Sequence, residues 1–291
     1  MKNYLILIFL SFSLSSAQNG YWQQQADYTM SIDVDVENFT YSGEQSLVYT
    51  NNSPDTLQRV FYHLYYNAFK PGSDLEAASR NSYNDRRSMS KRLLSLDKND
   101  WGDVKVLSLK QDGRPISHLT KETILEVALD KPLLPGKSTT LDMSFFVKVP
   151  AVVRRAGKNN PDGVAFSMAQ WYPKLCQYDD EGWHANPYLG REFYGVWGDF
   201  DVTINIDKNY TVAASGYLQN PEKIGHGYAD LDPGVVHEEK ISWRFIAPDV
   251  HDFSWAADPE YIHDVVPIEG GPVMHFFYKN SPPYLKSWKD F

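Results

Sequence analysis

Cysteine is almost absent from this chain of 291 residues, in which Cys176 is the only one. A single cysteine excludes an intrachain disulfide, so a packed core has to hold the fold together. No catalytic cysteine–histidine signature surrounds Cys176. The sequence therefore predicts a packed thiol at this position rather than a nucleophile.

Positive charge is also scarce, because 28 basic residues face 37 acidic ones and the formal net charge is −9. A negative balance of this size argues against nucleic acid or another polyanion as the main partner. No internal repeat or low-complexity linker divides the chain, and its length is ample for a well-buried core.

Long hydrophobic runs are lacking beyond the first twenty residues. Lys2 precedes an apolar run from Tyr4 to Phe12, and Ser15, Ser16 and Ala17 have the small side chains of a signal-peptidase site. The run is shorter than the about 20 residues that a membrane-spanning helix needs. We therefore expect a signal peptide over residues 1–17, no membrane span, and export to the periplasm or the cell exterior.

Paired histidines of the kind that bind zinc are missing as well. The closest pair, His226 and His237, is separated by 11 positions (237 − 226), whereas an HExxH helix brings two histidines within one turn. His237 and Glu238 begin like that motif, but no second histidine follows. Gly-x-Ser-x-Gly and phosphate-binding glycine loops are also absent. The sequence predicts no zinc site in this chain.

Alternating apolar and polar residues dominate what is present. In Tyr28 to Glu37 every second side chain is apolar, which is typical of a strand with one solvated face. Asp112-Gly113 predicts a hairpin turn. Similar segments predict about ten strands and an all-β fold, a large antiparallel saddle-like β-sandwich with long loops. The strands are predicted near residues 28–37, 41–49, 57–66, 104–110, 123–129, 141–149, 200–206, 241–245 and 273–278.

Two further expectations concern the order of the elements. The first three strands, joined through Asn51 to Asp55, are predicted to form an antiparallel meander. The stretch from Lys70 to Trp101 is polar and aperiodic, and we expect an irregular excursion with one short helix. Its basic residues are predicted to form a solvated face, and they are Arg86, Arg87, Lys91 and Arg92.

The stretch from Phe166 to Asp201, called the aromatic segment below, breaks the alternation most strongly. It combines aromatic side chains, turn residues and carboxylates. One interpretation is a loop whose aromatic side chains plug the end of a β-sandwich; the other is a binding loop held by a rigid sheet. Its carboxylates could form a pair for glycoside hydrolysis or a calcium site, or they could be turn and surface residues, and they are Asp179, Asp180, Glu181, Asp199 and Asp201.

Three segments resemble the aminopeptidase N family of zinc metallopeptidases. They are the run from Leu64 to Gly72 (LYYNAFKPG), the run from Thr211 to Gly216 (TVAASG) and the run from His251 to Ala257 (HDFSWAA). In their order and spacing they look like the saddle-shaped N-terminal β domain that precedes the catalytic domain of secreted bacterial members. The resemblance runs from about Asp27 to the end of the chain.

The resemblance implies a role for one part of the aromatic segment. Ala169-Gln170-Trp171-Tyr172-Pro173 is similar to a family segment at the edge of the active site that helps to hold the N-terminal residue of a peptide substrate. Gln170 matches the family glutamine, so Gln170 and Tyr172 are the predicted substrate-binding residues. Tyr172 departs from the pattern, because many members have a carboxylate or amide there and a phenol is a weaker, neutral partner for an ammonium group.

The family's catalytic parts are not present. Gly270 to Met274 is only superficially similar to the Gly-x-Met-Glu segment, since His275 follows where Glu is expected. The resemblance therefore implies a β domain over residues 18–270 and the truncated start of a catalytic domain over 271–291. It also implies Zn²⁺ in a longer parent, the chain's own C-terminal catalytic domain as partner, and no activity of this chain alone.

Two other functions compete with this interpretation. The first is a free-standing secreted module that binds carbohydrate or protein, with Trp171, Trp183 and Trp197 as stacking platforms for sugar rings. The second is an acid–base hydrolase built on the carboxylates of the aromatic segment.

Overall fold

A computed structural model describes residues 20–80, 89–152, 155–190, 193–229 and 238–279. The predicted signal peptide, Arg86, Arg87 and His237 lie outside these residues. No helix within the described ranges is long and apolar enough to cross a bilayer. The fold is all-β, with three short α-helices and two 3₁₀ turns at its margins.

The described residues form twenty strands, and several of these have only two residues. In chain order they are β1 Gln25–Asp35, β2 Thr40–Thr50, β3 Leu57–His63, β4 Asp103–Gln111, β5 Arg114–Pro115, β6 His118–Lys121, β7 Ile124–Leu133, β8 Ser138–Lys148, β9 Gly157–Lys158, β10 Phe166–Met168, β11 Lys174–Leu175, β12 Tyr178–Asp179, β13 Gly182–Trp183, β14 Gly198–Asp207, β15 Thr211–Ala214, β16 Tyr217–Leu218, β17 Lys240–Val250, β18 Trp255–Asp258, β19 Tyr261–Pro267 and β20 Val273–Lys279. The helices are α1 Asp74–Ser79, α2 Met89–Leu94 and α3 Pro221–Ile224, and the 3₁₀ turns are Tyr65–Ala68 and Lys98–Asp100.

The largest sheet has the strand order β16-β17-β14-β1-β2-β8-β4-β5 and is called the large sheet below. Its strands alternate as predicted: Tyr28, Met30 and Ile32 of β1 are buried, and the residues between them are exposed. The neighbours pair antiparallel with one exception, because β1 and β14 run parallel, with Tyr28 opposite Phe200. Between β4 and β5, Asp112 and Gly113 both have positive φ, at 49° and 79°, which confirms the predicted hairpin turn.

The prediction of a three-strand meander is wrong at its third strand. β2 pairs with β1 and β8, whereas β3 lies in a second sheet of order β11-β3-β7-β6. The crossing is made by the connection after β2, where the buried Asn51 side chain donates to the carbonyls of Asp55 and Leu133 at 2.7 and 3.1 Å. These bonds satisfy backbone groups at the crossing point, so the chain can leave one sheet for the other.

Two further sheets bear on the site. A four-stranded sheet of order β15-β18-β10-β9 is called the small sheet below, and β19 pairs with β20 in a hairpin. The hairpin spans the predicted domain boundary at residue 270, which stays a prediction. All three larger sheets contribute to one apolar core: Met30 comes from the large sheet, Tyr62 from the second sheet and Phe166 from the small sheet.

The described part of the excursion from Lys70 to Trp101 is more regular than predicted. It contains α1, α2 and the 3₁₀ turn Lys98–Asp100, where the sequence predicted one short helix. Ser73 caps α1, and the buried Glu76 carboxylate accepts hydrogen bonds from Arg80 and from Ser90 of α2, the latter at 2.6 Å. Lys91 and Arg92 are exposed, as predicted for a solvated face.

Candidate functional site

The aromatic segment begins with β10, Phe166–Met168, and turns sharply at Gln170. Gln170 has a φ of 57°, in the left-handed region that costs a non-glycine residue about 1 kcal/mol. The residue is 8% exposed. Its side-chain amide forms no hydrogen bond with any residue that the structure describes, which distinguishes it from a glutamine that serves only to bind loop backbone.

Beyond the turn, the chain enters the core. Trp171 is fully buried, its indole Nε1 donates to the Phe253 carbonyl at 3.0 Å, and its own carbonyl accepts from the Tyr41 hydroxyl. Trp183 packs against Tyr49 and Phe61, while Trp197 remains 43% exposed. The prediction of three tryptophan platforms for sugars is therefore wrong at Trp171, because a ring with no exposed face cannot stack on a ligand. At this position the plug interpretation is confirmed.

Tyr172 lies in the core as well, 1% exposed, with its ring edge-on to Tyr28 at 5.5 Å. Its hydroxyl donates to Asp252 Oδ1 at 3.0 Å. Burial, reinforced by the nearby Asp252 carboxylate, raises the pKa of Tyr172 well above its ordinary value. The phenol is thus a neutral donor that is already engaged.

A buried ion pair adjoins this phenol. Lys174 Nζ lies 2.9 Å from Asp252 Oδ2, and the Lys174 side chain is only 3% exposed. Asp252 Oδ1 also accepts from the Phe253 backbone N–H at 2.9 Å. Three donors, from Tyr172, Lys174 and the Phe253 backbone, thus converge on the two carboxylate oxygens, and the remaining exposure of 29% gives a ligand access to the group.

A groove of about 460 Å³ runs along the small sheet beside Gln170. Small side chains from neighbouring strands line it, including Ala213 and Ala256, together with Ala169, which precedes Gln170. Arg155, His275 and Phe277 line it as well. Because Ala and Ser side chains are short, an extended peptide could closely approach the backbone of the small sheet here.

The structure separates the two predicted site residues. Gln170 follows Ala169, which lines the groove, but does not itself line it, whereas Tyr172 is buried in the core and donates to Asp252. Sequence reasoning missed Lys174 and Asp252, although both lie in or beside segments that had been singled out. The available signal was Asp252 in the largely apolar run from His251 to Ala257, because a carboxylate buried with such a run needs a partner.

The remaining candidates do not form a metal site. Asp201 pairs with Arg244 at 2.6 Å, Asp179 with His184 at 2.8 Å, and Asp199 accepts the Asp249 backbone N–H. Among the described residues no group of three or more His, Cys, Asp or Glu side chains could hold a metal ion. Cys176 is buried, and burial raises the pKa of its thiol, which confirms the packed, unreactive cysteine.

The fold of this chain is similar to that of one class of solved structures, the M1 zinc metallopeptidases. An M1 zinc metallopeptidase mutant from Deinococcus radiodurans matches with a TM-score of 0.52 and 14% identity over 90% of this chain and 49% of its own. The mutant from the same organism bound to a Tyr-Ser-Ala substrate gives 0.53 and 14% over 92% and 52%. A two-domain M1 zinc metallopeptidase mutant bound to L-arginine gives 0.52 and 14% over 90% and 49%.

At this identity the likeness shows the fold, and at that level the resemblance drawn from the sequence segments is confirmed. The chain spans about half the length of these metallopeptidases. No protein-family model and no curated protein matches the sequence.

Proposed function

We propose that this chain is the non-catalytic β domain of an exported zinc aminopeptidase-like metallopeptidase. The observation that carries the proposal is the shared fold, which accounts for nine-tenths of this chain and about half of each metallopeptidase. In a two-domain protein of that kind, the other half would hold the zinc ion and the catalytic groups. Export rests on the predicted signal peptide over residues 1–17.

In this proposal Gln170 contributes to the pocket for the N-terminal residue of a peptide. Its amide can both donate and accept hydrogen bonds, it is free of described partners, and its turn borders the groove on the small sheet. One solved metallopeptidase of this fold is bound to a Tyr-Ser-Ala substrate, which is consistent with peptide as the ligand class.

Tyr172 has a narrower part in the proposal than the sequence suggested. Because its ring is buried, only its hydroxyl is placed to take part, through the hydrogen bond to Asp252. That bond would orient the Asp252 carboxylate, whose negative charge suits a substrate ammonium group better than a phenol does.

Substitution of Gln170 tests the proposal in a protein that carries this chain together with its catalytic domain. Gln170→Ala should reduce kcat/KM for an aminoacyl substrate, because a substrate group loses its hydrogen-bond partner. The expected loss of transition-state binding is about 1–3 kcal/mol. Zinc content and Tm should stay near wild type.

The matched control is Asn159→Ala, which replaces another residue with positive φ, at 51°, in the connection between β9 and β10. This control should leave kcat/KM unchanged. If Gln170→Ala lowers Tm and leaves kcat/KM of the folded protein intact, Gln170 is only a structural residue and its substrate role is wrong.

A further inference from the structure

A second pocket lies far from Gln170, where the chain enters β1. It has a volume of about 400 Å³ and is lined by Tyr21, Trp22, Gln177, Asp180 and Tyr194, among others. The neighbourhood of Gln170 lies near one end of β1, because Tyr41 contacts Trp171 and is paired with Val34 there. The pocket lies at the other end, because Trp22 precedes Gln25. Gln25 and Val34 are nine positions apart (34 − 25) in β1, a distance of roughly 30 Å.

Aromatic rings form much of this pocket, which is called the entry pocket below because it lies where the chain enters β1. Trp22 stacks on Tyr178 with ring centroids 6.2 Å apart and an interplanar angle of 28°. Tyr21 is 87% exposed and Tyr194 is 54% exposed, so both rings present open faces to solvent. Aromatic faces carry partial negative charge, which attracts a cation placed over them.

The described charged residues that line the entry pocket have one sign. They are Asp179 and Asp180, and no described lysine or arginine lines it. Burial alone would raise the pKa of Asp179, but hydrogen bonds from His184, the Glu181 N–H and Tyr194 lower it overall, so this carboxylate is ionised at neutral pH. Asp180 is exposed in the turn between β12 and β13 and forms no ion pair with the described residues.

A buried amide adds a hydrogen-bond acceptor. Gln177 is 5% exposed and lines the entry pocket. Its Nε2 donates to the Tyr178 carbonyl at 3.2 Å, but no described residue donates to its Oε1. Oε1 is not among the fully buried side-chain atoms that lack a partner, so this acceptor is open to a ligand in the pocket. The entry pocket therefore offers hydrogen-bond acceptors and aromatic faces, which suit a ligand that carries a hydrogen-bond donor.

We propose that the entry pocket binds a protonated organic cation that carries N–H groups, namely the side chain of a lysine or arginine in a peptide. The carboxylates supply the charge, the rings cover the alkyl stem and the cation, and Gln177 Oε1 accepts one N–H bond. A quaternary ammonium ion has no donor for that oxygen. A metal ion is a poor fit, because no described cluster has the ligands for one. This assignment does not depend on the role of Gln170.

Direct titration of the chain with blocked amino acids tests the proposal. The probe is Nα-acetyl-lysine amide, and the comparison probe is Nα-acetyl-norleucine amide, which has the same stem without the ammonium group. Binding is followed through the indole N–H resonance of Trp22. The lysine probe should bind at least about tenfold more tightly than the norleucine probe, because one ionic contact of about 1.4 kcal/mol corresponds to that ratio.

A pair of neighbouring substitutions gives the residue control. Asp180→Asn should weaken binding of the lysine probe about fivefold or more, whereas Glu181→Gln, one position on in the same turn and outside the pocket lining, should change it less than twofold. Both residues are exposed, so both variants should fold with unchanged Tm.

Three results would overturn the proposal: equal binding of the lysine and norleucine probes, equal effects of the two substitutions, or tetramethylammonium binding as tightly as the lysine probe. Since both amino-acid probes have a blocked α-amine, Gln170→Ala should leave their binding unchanged. A failure here is thereby separate from a failure of the proposed aminopeptidase role.

Discussion

The large sheet and the aromatic segment are held in place by different means. In the large sheet, eight strands satisfy each other's backbone groups, and in long strands such as β1 every second side chain enters the core. The aromatic segment forms only short strands, and side chains of the large sheet satisfy part of its backbone. The Leu175 N–H donates to the Tyr28 hydroxyl at 3.0 Å, and the Pro173 carbonyl accepts from Gln45 Nε2 at 3.0 Å.

This difference shows how an irregular loop can become as buried as a strand. A backbone without a ladder partner is costly in the core, and polar side chains on the inner face of the large sheet remove that cost. Tyr28, Tyr41 and Gln45 are therefore part of the aromatic segment's framework, although they belong to strands.

Alkaline pH should have the largest effect, because it acts on both regions together. Burial raises the pKa of several tyrosines above the ordinary value near 10, and among them seven lie in the apolar core: Tyr28, Tyr41, Tyr49, Tyr62, Tyr65, Tyr66 and Tyr172. The unfolded chain loses these protons near pH 10 while the folded chain keeps them. Their contribution to stability is thus complete below pH 10 and falls above it by about 1.4 kcal/mol per pH unit for each tyrosine.

We expect cooperative unfolding above pH 10, with the tyrosinate absorbance of the buried set rising in the same transition as the loss of β-sheet circular dichroism. Gradual ionisation of all tyrosines near pH 10 in a chain that stays folded would contradict this burial.

Trp171 and Trp197 provide the next largest contrast within the aromatic segment. Trp171→Ala removes a fully buried ring and should lower the free energy of unfolding by about 3–5 kcal/mol. Trp197→Ala, at a position that is 43% exposed, should cost at most about 1 kcal/mol. Urea denaturation of both variants measures the difference. Equal losses would mean that Trp171 does not plug the core.

Two buried tyrosines allow a finer test of the hydrogen bonds that join the regions. Tyr28→Phe leaves the buried Leu175 N–H without its acceptor and should cost about 1–2 kcal/mol. The hydroxyl of Tyr62 has no hydrogen-bond partner among the described residues, so Tyr62→Phe should be neutral or slightly stabilising. Thermal denaturation gives both values, and a larger loss for Tyr62→Phe would contradict the assigned bonds.

Local pattern was enough to predict the main strands of the large sheet, because alternation in β1, β2, β8, β14 and β17 directly reports which side chains are buried. Pairing was harder. The turn residues after β2 favour a hairpin locally, but hydrogen bonds from Asn51 to a carbonyl 82 positions away send β3 into another sheet. No short-range pattern contains that information.

The same limit applies to the candidate site. The motif Gln170-Trp171-Tyr172 singled out a segment whose left-handed turn at Gln170 is a local feature, and the substrate role of Gln170 stays a prediction. The engagement of Tyr172 by Asp252, 80 positions away, depends on how the small sheet closes over the core. Residue types near a site could thus be predicted from sequence, whereas the direction in which each side chain faces could not.

Zinc stoichiometry of the purified chain tests most directly the claim that it is the non-catalytic part of a metallopeptidase. After incubation with zinc and removal of the excess, we predict far less than one tightly held zinc ion per chain and no hydrolysis of aminoacyl substrates, because the described residues provide no set of three ligands. One tightly held zinc ion per chain, with peptidase activity that a chelator abolishes, would contradict the account.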